Sequence, residues 1–162
     1  MTYREFLESK IELATDSGFE VDKSRINKAL KPHQGDAVAW ALKGGRRALF
    51  ESFGLGKTAQ EIEFCHQAAE HTGGRALIVL PLGVKQEFTR DAVELLGYEK
   101  PEYCRTMEEV EASTSQIVLT NYERVRDGDI DPSYFAATSL DEASVLRSFG
   151  SKTYQTFLDK FK

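Results

Sequence analysis

Short apolar runs alternate with longer segments of helical spacing along this chain, and that alternation constrains the fold more than any other feature. Four runs lack the polar alternation of a half-exposed strand; they cover residues 48–50, 76–80, 116–120 and, more weakly, 135–140. Helical patterns cover residues 57–71, 84–96, 107–112 and 151–162. Strands that are apolar on both faces and alternate with helices are typical of a parallel sheet covered on both sides. The sequence therefore predicts an α/β fold with right-handed crossovers.

Length, charge and cysteine content narrow the class of protein. The 162 residues suffice for one domain with a real core, and the formal net charge of -5 argues against a polycation made for nucleic acid. Cys65 and Cys104 lie far apart, which argues against a disulfide scaffold and a zinc site. The longest apolar run, residues 76–84, is too short to span a bilayer, and the first residues lack a signal peptide's apolar stretch. We expect a cytoplasmic protein without a membrane partner.

Two helices are predicted before the first strand. Thr2 and Glu5 form a capping box, and apolar residues follow at helical spacing until residues 16–18. A second helix is predicted to begin at Pro32, because proline suits the first turn of a helix. The pair Gly44-Gly45 is predicted to end it.

A lysine is placed where the longest helical pattern begins, although a cation at the start of a helix is disfavoured by roughly 0.3–1 kcal/mol. The segment consists of Gly54, Leu55, Gly56, Lys57 and Thr58. Glycines let several backbone N–H groups point at one anion, and the helix end adds its own. Lysine and threonine there suit phosphate oxygens and Mg²⁺, which predicts a phosphate-binding loop (P-loop). The alternative is a chance glycine turn with an exposed lysine, and Glu51 stands where the usual pattern has glycine.

An acidic pair, Asp141 and Glu142, follows the last predicted strand. Two unpaired acids inside a sheet would be strongly destabilising, whereas at the carboxyl end of a strand, beside Mg²⁺, they would be stabilised. In that interpretation Asp141 holds the metal, and Glu142 orients and deprotonates water. An ordinary surface loop is the alternative.

Several stretches carry a family resemblance. They are Lys31-Pro32-His33-Gln34, Trp40-Ala41-Leu42, ESFGLGKT at 51–58, ALIVLPLGV at 76–84, IVLTNYER at 117–124 and DEAS at 141–144. From about residue 30 onwards the chain resembles superfamily-two helicases, and within them the Swi/Snf-type DNA translocases, with a likeness to those of phages and prophages. That group has an acidic residue where Glu51 stands. The resemblance implies a partial three-layer RecA-like lobe with a mostly parallel sheet over residues 31–162, after a helical leader over residues 1–30, in a bacterial or phage-infected cell.

The resemblance also implies a nucleotide site for ATP and Mg²⁺. Gln34 would contact the adenine edge, since an amide both donates and accepts. Lys57 and Glu142 would be catalytic, and Thr58 and Asp141 would hold the metal. The phosphates would lie on Gly54, Leu55, Gly56, Lys57 and Thr58. The alternative for Gln34 is an exposed amide at a helix start.

DNA is the implied partner. Pro81, Thr120 and Asn121 would lie at its backbone, in contacts that ignore base sequence and weaken with salt. The alternative for Thr120 is a satisfied hydroxyl at a strand end. Ser144 replaces the family's histidine, so hydrolysis and DNA binding would be coupled differently.

Proteins of this family have a second RecA-like lobe that supplies arginines to the nucleotide, and this sequence has no counterpart of that lobe. We therefore expect a fragment that binds nucleotide weakly and hydrolyses it barely. Two other functions stay open at this point: a P-loop kinase or small-molecule ATPase, and a non-catalytic adaptor for DNA or protein.

Overall fold

In the residues that the structure describes, four short strands form one parallel sheet in the order β2-β3-β1-β4. They are β1 (Ala76–Val79), β2 (Glu102–Tyr103), β3 (Ile117–Thr120) and β4 (Ala137–Leu140). Ala76 of the central strand β1 pairs with Ile117 of β3 on one side and Ala137 of β4 on the other. All carboxyl ends of the strands therefore lie at one edge of the sheet, which is where ligands bind in open α/β folds.

Six α-helices surround this sheet in the computed structural model, which describes Thr2 and residues 15–51, 54–148 and 150–161. They are α1 (Pro32–Gly44), α2 (Lys57–Thr72), α3 (Lys85–Arg90), α4 (Met107–Ala112), α5 (Tyr122–Asp127) and α6 (Lys152–Lys160). A π-helical turn, Asp91–Leu95, extends α3. The leader helix predicted from Thr2 lies outside the described residues. Among the described helices, none is both long enough and apolar enough to cross a membrane.

The start and end of α1 follow the sequence. Pro32 occupies the first turn, and the Gln34 side chain accepts from the backbone N–H of Lys31 at 2.8 Å. Gly45 ends the helix with a positive φ of 74°, a conformation that costs glycine little. The prediction for α1 is confirmed, and so is that for α2.

Both faces of the sheet are buried. Ile78 and Leu80 face a core shared with α1, α2 and α3, whereas Leu77 and Val79 face a second core, shared with α4, α5 and α6. The central strand is therefore apolar at every position, because neither face meets water. The predicted three-layer α/β class with a parallel sheet is confirmed.

The first predicted strand is wrong. Residues 47–50 form no strand, and Phe50 is 97% exposed. Pairing requires a partner distant in sequence, and a three-residue apolar run does not specify one. In the part of the chain that the structure describes, the sheet ends at β4. The P-loop is therefore entered from an irregular segment, and only its helical side matches the expected strand-loop-helix order.

Two elements were missed, and one prediction needs adjustment. Strand β2 has only two residues, too few for a periodic signal. Helix α5 overlaps the motif at residues 117–124, for which the sequence patterns predict no helix. The helix predicted over residues 84–96 divides into α3 and its π-helical turn. Both pieces remain continuous along the chain, so the sheet order is unaffected.

Candidate nucleotide-binding site

The P-loop has the backbone that its glycines predict. Gly54 and Gly56 have positive φ angles of 80° and 74°, and Gly56 is the residue immediately before α2. A Cβ atom at Gly56 would lie 2.4 Å from Nε2 of Gln34. The loop therefore needs glycine at residue 56 for two reasons: the left-handed backbone and the closeness of the Gln34 amide.

Two buried glutamines hold this loop. Nε2 of Gln34 donates to the carbonyl of Leu55 at 2.7 Å, and Nε2 of Gln60 donates to the same carbonyl at 3.2 Å and to Oε2 of Glu51 at 2.8 Å. Gln34 is only 8% exposed, which excludes the alternative of an exposed amide at a helix start. Its contact with adenine stays a prediction, while its anchoring of the loop is observed.

Gln60 was missed by the sequence reasoning. It lies between the buried positions Ala59 and Ile62 of α2, and its Oε1 is shielded from solvent without a hydrogen-bond partner. A glutamine on the apolar side of a helix was the available signal, because buried amides need partners.

Lys57 and Thr58 open α2. The ammonium of Lys57 donates to the backbone carbonyl of Glu51 at 3.4 Å, across the loop. The hydroxyl of Thr58 donates to Oε1 of Glu87, on α3, at 3.1 Å. Both side chains therefore make contacts that the motif does not predict.

Asp141 comes directly after β4. Its N–H donates to the carbonyl of Val79 at 2.8 Å, and its own carbonyl accepts from the Tyr122 hydroxyl at 2.6 Å. Burial and then repulsion from Glu142 raise the pKa of Asp141, whereas the nearby Lys57 ammonium acts to lower it. The candidate phosphate-binding lysine, Lys57, is therefore close enough to the candidate metal ligand, Asp141, to influence its pKa.

Glu142 is exposed, with φ 55°, a left-handed conformation that is uncommon outside glycine. Its carboxylate accepts from the hydroxyl of Ser144, the residue that replaces histidine in the acidic box. Residues other than glycine that adopt such a strained backbone conformation are found preferentially at functional sites. The catalytic role of Glu142 stays a prediction.

Glu61 is a further acid that the sequence reasoning missed. It lies one helical turn after Lys57, and its Oε1 accepts from the hydroxyl of Ser139 on β4 at 2.8 Å, while Oε2 is shielded without a partner. Burial, then repulsion from Asp141, raise the pKa of Glu61 to about 8. The sequence places Glu61 on the same face of α2 as Lys57, since residues i and i+4 share a face, but it does not reveal the contact with Ser139.

These residues fit a magnesium–nucleotide ligand. The oxygens of Thr58 and Asp141 are of the hard type that Mg²⁺ prefers. The structure shows no cluster of three or more His, Cys, Asp or Glu side chains able to hold a metal, as far as its described residues go.

The candidate DNA residues lie at the carboxyl ends of β1 and β3. Pro81 is half-buried and begins a 3-10 turn, and Asn121 is buried, accepting from the Tyr103 hydroxyl at 2.7 Å. The Thr120 hydroxyl is buried and donates to the carbonyl of Cys104 at 2.9 Å. This contact matches the alternative of a satisfied strand-end hydroxyl. Thr120 is fully buried, and its carbonyl accepts from the N–H of Leu80 at 2.9 Å, so its contact with DNA stays a prediction that no observed feature supports.

Solved structures share this arrangement of elements. The UvsW helicase of bacteriophage T4 gives a TM-score of 0.66 at 16% identity, over 99% of this chain and 56% of that chain. A second structure of T4 UvsW also gives 0.66, at 17% identity, over 99% of this chain and 32% of that one. The SWI2/SNF2 ATPase core of Sulfolobus solfataricus, in complex with dsDNA, gives 0.65 at 17% identity, over 85% and 31%. This chain shares the fold of these helicase and ATPase structures.

The helicase-lobe fold agrees with the predicted likeness to Swi/Snf-type proteins. The chain spans between about a third and just over half of the length of these similar structures. No protein-family model and no curated protein sequence matches it. The likeness is thus one of architecture, carried by element order and sheet topology at low identity.

Proposed function

We propose that this helicase-like lobe binds Mg–ATP and belongs to an ATP-dependent DNA helicase or translocase. One observation carries the proposal. A loop with left-handed glycines leads into α2, whose first residue is Lys57, and Asp141 directly follows β4 at the carboxyl edge of the parallel sheet. A cation-bearing loop that faces a carboxylate across this edge is the arrangement that phosphate-transferring sites use.

Each residue has a role in this proposal. The loop from Gly54 to Gly56 surrounds the phosphates with backbone N–H groups, and the Lys57 ammonium binds the terminal phosphates. The oxygens of Thr58 and Asp141 hold the metal, which when bound neutralises phosphate charge. Gln34 contacts adenine and also keeps the loop in place through Leu55.

Glu142 is the proposed base. Its carboxylate orients the attacking water and takes its proton. In the structure it accepts from Ser144, so the hydroxyl sets the orientation of the carboxylate before the reaction. A serine donates one hydrogen bond and carries no charge, whereas a histidine could be charged, which is why we expect a different link to DNA binding here.

DNA is the proposed partner, and the carboxyl ends of β1 and β3 are its proposed contact region. One similar structure is a complex with dsDNA. Pro81 and Asn121 lie at these strand ends, and contacts there would involve the DNA backbone without base specificity. A protein of this kind would work in the cytoplasm of a bacterial or phage-infected cell.

The test of the nucleotide site compares two lysines that each begin a helix, Lys57 on α2 and Lys85 on α3. Lys57→Ala is expected to remove the ATP-dependent rise in melting temperature in Mg²⁺, because the loop loses its phosphate-binding ammonium. Lys85→Ala is the matched control, and the rise should persist in it. Calorimetric titration with ATP, with and without Mg²⁺, gives the affinities. An unchanged thermal shift in Lys57→Ala would remove the proposed site.

A second measurement separates the helicase from a P-loop kinase or small-molecule ATPase. ATP hydrolysis by the full-length protein is measured with and without duplex DNA at several salt concentrations. A DNA translocase is expected to be stimulated by DNA, and less so at high salt, since backbone contacts weaken with salt. Nucleotide binding without any hydrolysis would favour the adaptor.

A further inference from the structure

The Thr58 hydroxyl has a partner outside its own helix and outside the P-loop. It donates to Oε1 of Glu87 at 3.1 Å. Glu87 lies in the first turn of α3, which follows β1 through the turn Leu82–Val84. Three elements, α2, α3 and β4, therefore bring Thr58, Glu87 and Asp141 to the same edge of the sheet.

Glu87 is exposed, so its carboxylate keeps contact with solvent while it accepts from the Thr58 hydroxyl. This contact places Glu87 beside one of the two candidate metal ligands, Thr58.

The contact leaves Thr58 able to bind a metal. A hydroxyl has one hydrogen to donate and two lone pairs to offer. When the hydrogen points at Glu87, the lone pairs point away from that carboxylate and remain open to a cation. A carboxylate that accepts a hydrogen bond from a metal ligand fixes the ligand's orientation and raises its basicity.

We infer that Glu87 is a positioning residue of the magnesium site: it holds the Thr58 oxygen towards the cation and extends the site onto α3. This inference rests on the proposed nucleotide function. It gives α3 a direct hydrogen bond to the first turn of α2, next to the glycine loop.

The experiment compares Glu87→Ala, Glu87→Gln and the control Glu94→Ala, which removes another exposed carboxylate just beyond α3. Calorimetry gives the ATP affinity of each in Mg²⁺ and in EDTA, and the melting temperature without ligand checks folding. Glu87→Ala is expected to lower the affinity in Mg²⁺ by about tenfold and to leave the affinity in EDTA unchanged. Glu87→Gln should recover part of the loss, because an amide oxygen still accepts from Thr58. Glu94→Ala should behave as wild type.

A double-mutant cycle with Thr58→Ala tests whether Glu87 acts through the hydroxyl. In the Thr58→Ala background, Glu87→Ala is expected to cost much less than in wild type. Equal losses in Mg²⁺ and EDTA, or additive losses in the cycle, would overturn the role of Glu87. If Lys57→Ala abolishes binding while Glu87→Ala changes nothing, only this inference fails. If wild type does not bind ATP, the proposed function and this inference fail together.

Discussion

Glu61 and Ser139 form a polar pair between α2 and β4, close to the candidate site. The Ser139 hydroxyl satisfies one oxygen of Glu61, and the other oxygen is shielded without a partner. An ionised carboxylate in such a place is costly, so the group keeps its proton to a higher pH. At the scale of single residues, burial therefore raises the pKa of Glu61 to about 8, four residues after the candidate phosphate-binding lysine.

The free energy of unfolding should depend on the protonation of Glu61. The folded protein holds this proton to about pH 8, whereas the unfolded chain releases it near the ordinary value of 4.5. Because the folded state then binds more protons, the free energy of unfolding should fall as the pH rises from about 5 to 8. Glu61→Gln removes this contribution and keeps an acceptor for Ser139. At pH 8 we expect the variant to be more stable than wild type by roughly 2 kcal/mol, after allowance for partial exposure.

Urea unfolding of both proteins at several pH values checks the expectation. Glu70→Gln, an exposed position near the end of the same helix, controls for the chemical change itself. A difference between Glu61→Gln and wild type that stays constant from pH 5 to pH 8 would contradict the assignment of this proton.

At the scale of elements, a second buried acid connects α2 to its neighbours. Glu63 is fully buried and accepts from the backbone N–H of Asn27, from Nε2 of Gln67 and from the hydroxyl of Tyr98. Burial and this last bond raise the pKa of Tyr98. Three segments meet at the carboxyl group of Glu63: residues 23–30, α2, and the segment with Tyr98 that follows the π-helical turn. A buried carboxyl group that accepts three hydrogen bonds is stable, but the loss of any one donor leaves an acceptor unsatisfied.

Tyr98→Phe removes one of these donors without removing the ring. We expect a loss of about 1–3 kcal/mol in the free energy of unfolding, because Glu63 keeps its place but one oxygen loses its partner. Tyr134→Phe is the control, since Tyr134 is half exposed, and its effect should stay within about 0.5 kcal/mol. Urea denaturation measures both. Equal effects of the two variants would show that the Glu63 network contributes little.

The whole molecule depends on two cores, one on each face of the sheet. The second core includes Phe157 of α6, which packs on Tyr122 with ring centroids 5.3 Å apart. The last described helix is therefore part of the lobe and covers a face of the sheet. Without it, apolar residues of β1 and β3 would meet water.

Two adjacent residues of α6 give a test of this packing. Phe157 is 2% exposed and its neighbour Leu158 is 48% exposed. Phe157→Ala is expected to lower the free energy of unfolding by about 3–5 kcal/mol, and Leu158→Ala by less than about 1 kcal/mol. Thermal and urea unfolding compare them. A small effect of Phe157→Ala would mean that α6 does not stabilise the lobe.

Local patterns predicted much of this fold and part of the site. Apolar runs identified β1, β3 and β4, and Pro32 and Gly45 marked the ends of α1, because these signals act within a few residues. The prediction of a strand at residues 48–50 was wrong, since strand pairing depends on a partner that is distant in sequence. Glu61, Glu87 and Gln60 were missed for the same reason: their importance comes from Ser139, Thr58 and the loop, which lie on other elements or across a turn.

The sequence by itself determined the α/β class, the P-loop glycines and the order of the candidate site residues, because backbone conformation and side-chain periodicity are local properties. Only the tertiary structure decided which groups meet. In the structure the Thr120 hydroxyl donates to the carbonyl of Cys104, and the Gln34 amide donates to the carbonyl of Leu55. Glu61 lies close enough to Asp141 for repulsion to raise its pKa, and Glu87 accepts from Thr58. Hydrogen bonds and charge interactions act over a few ångströms in space, and distance along the chain does not specify that proximity.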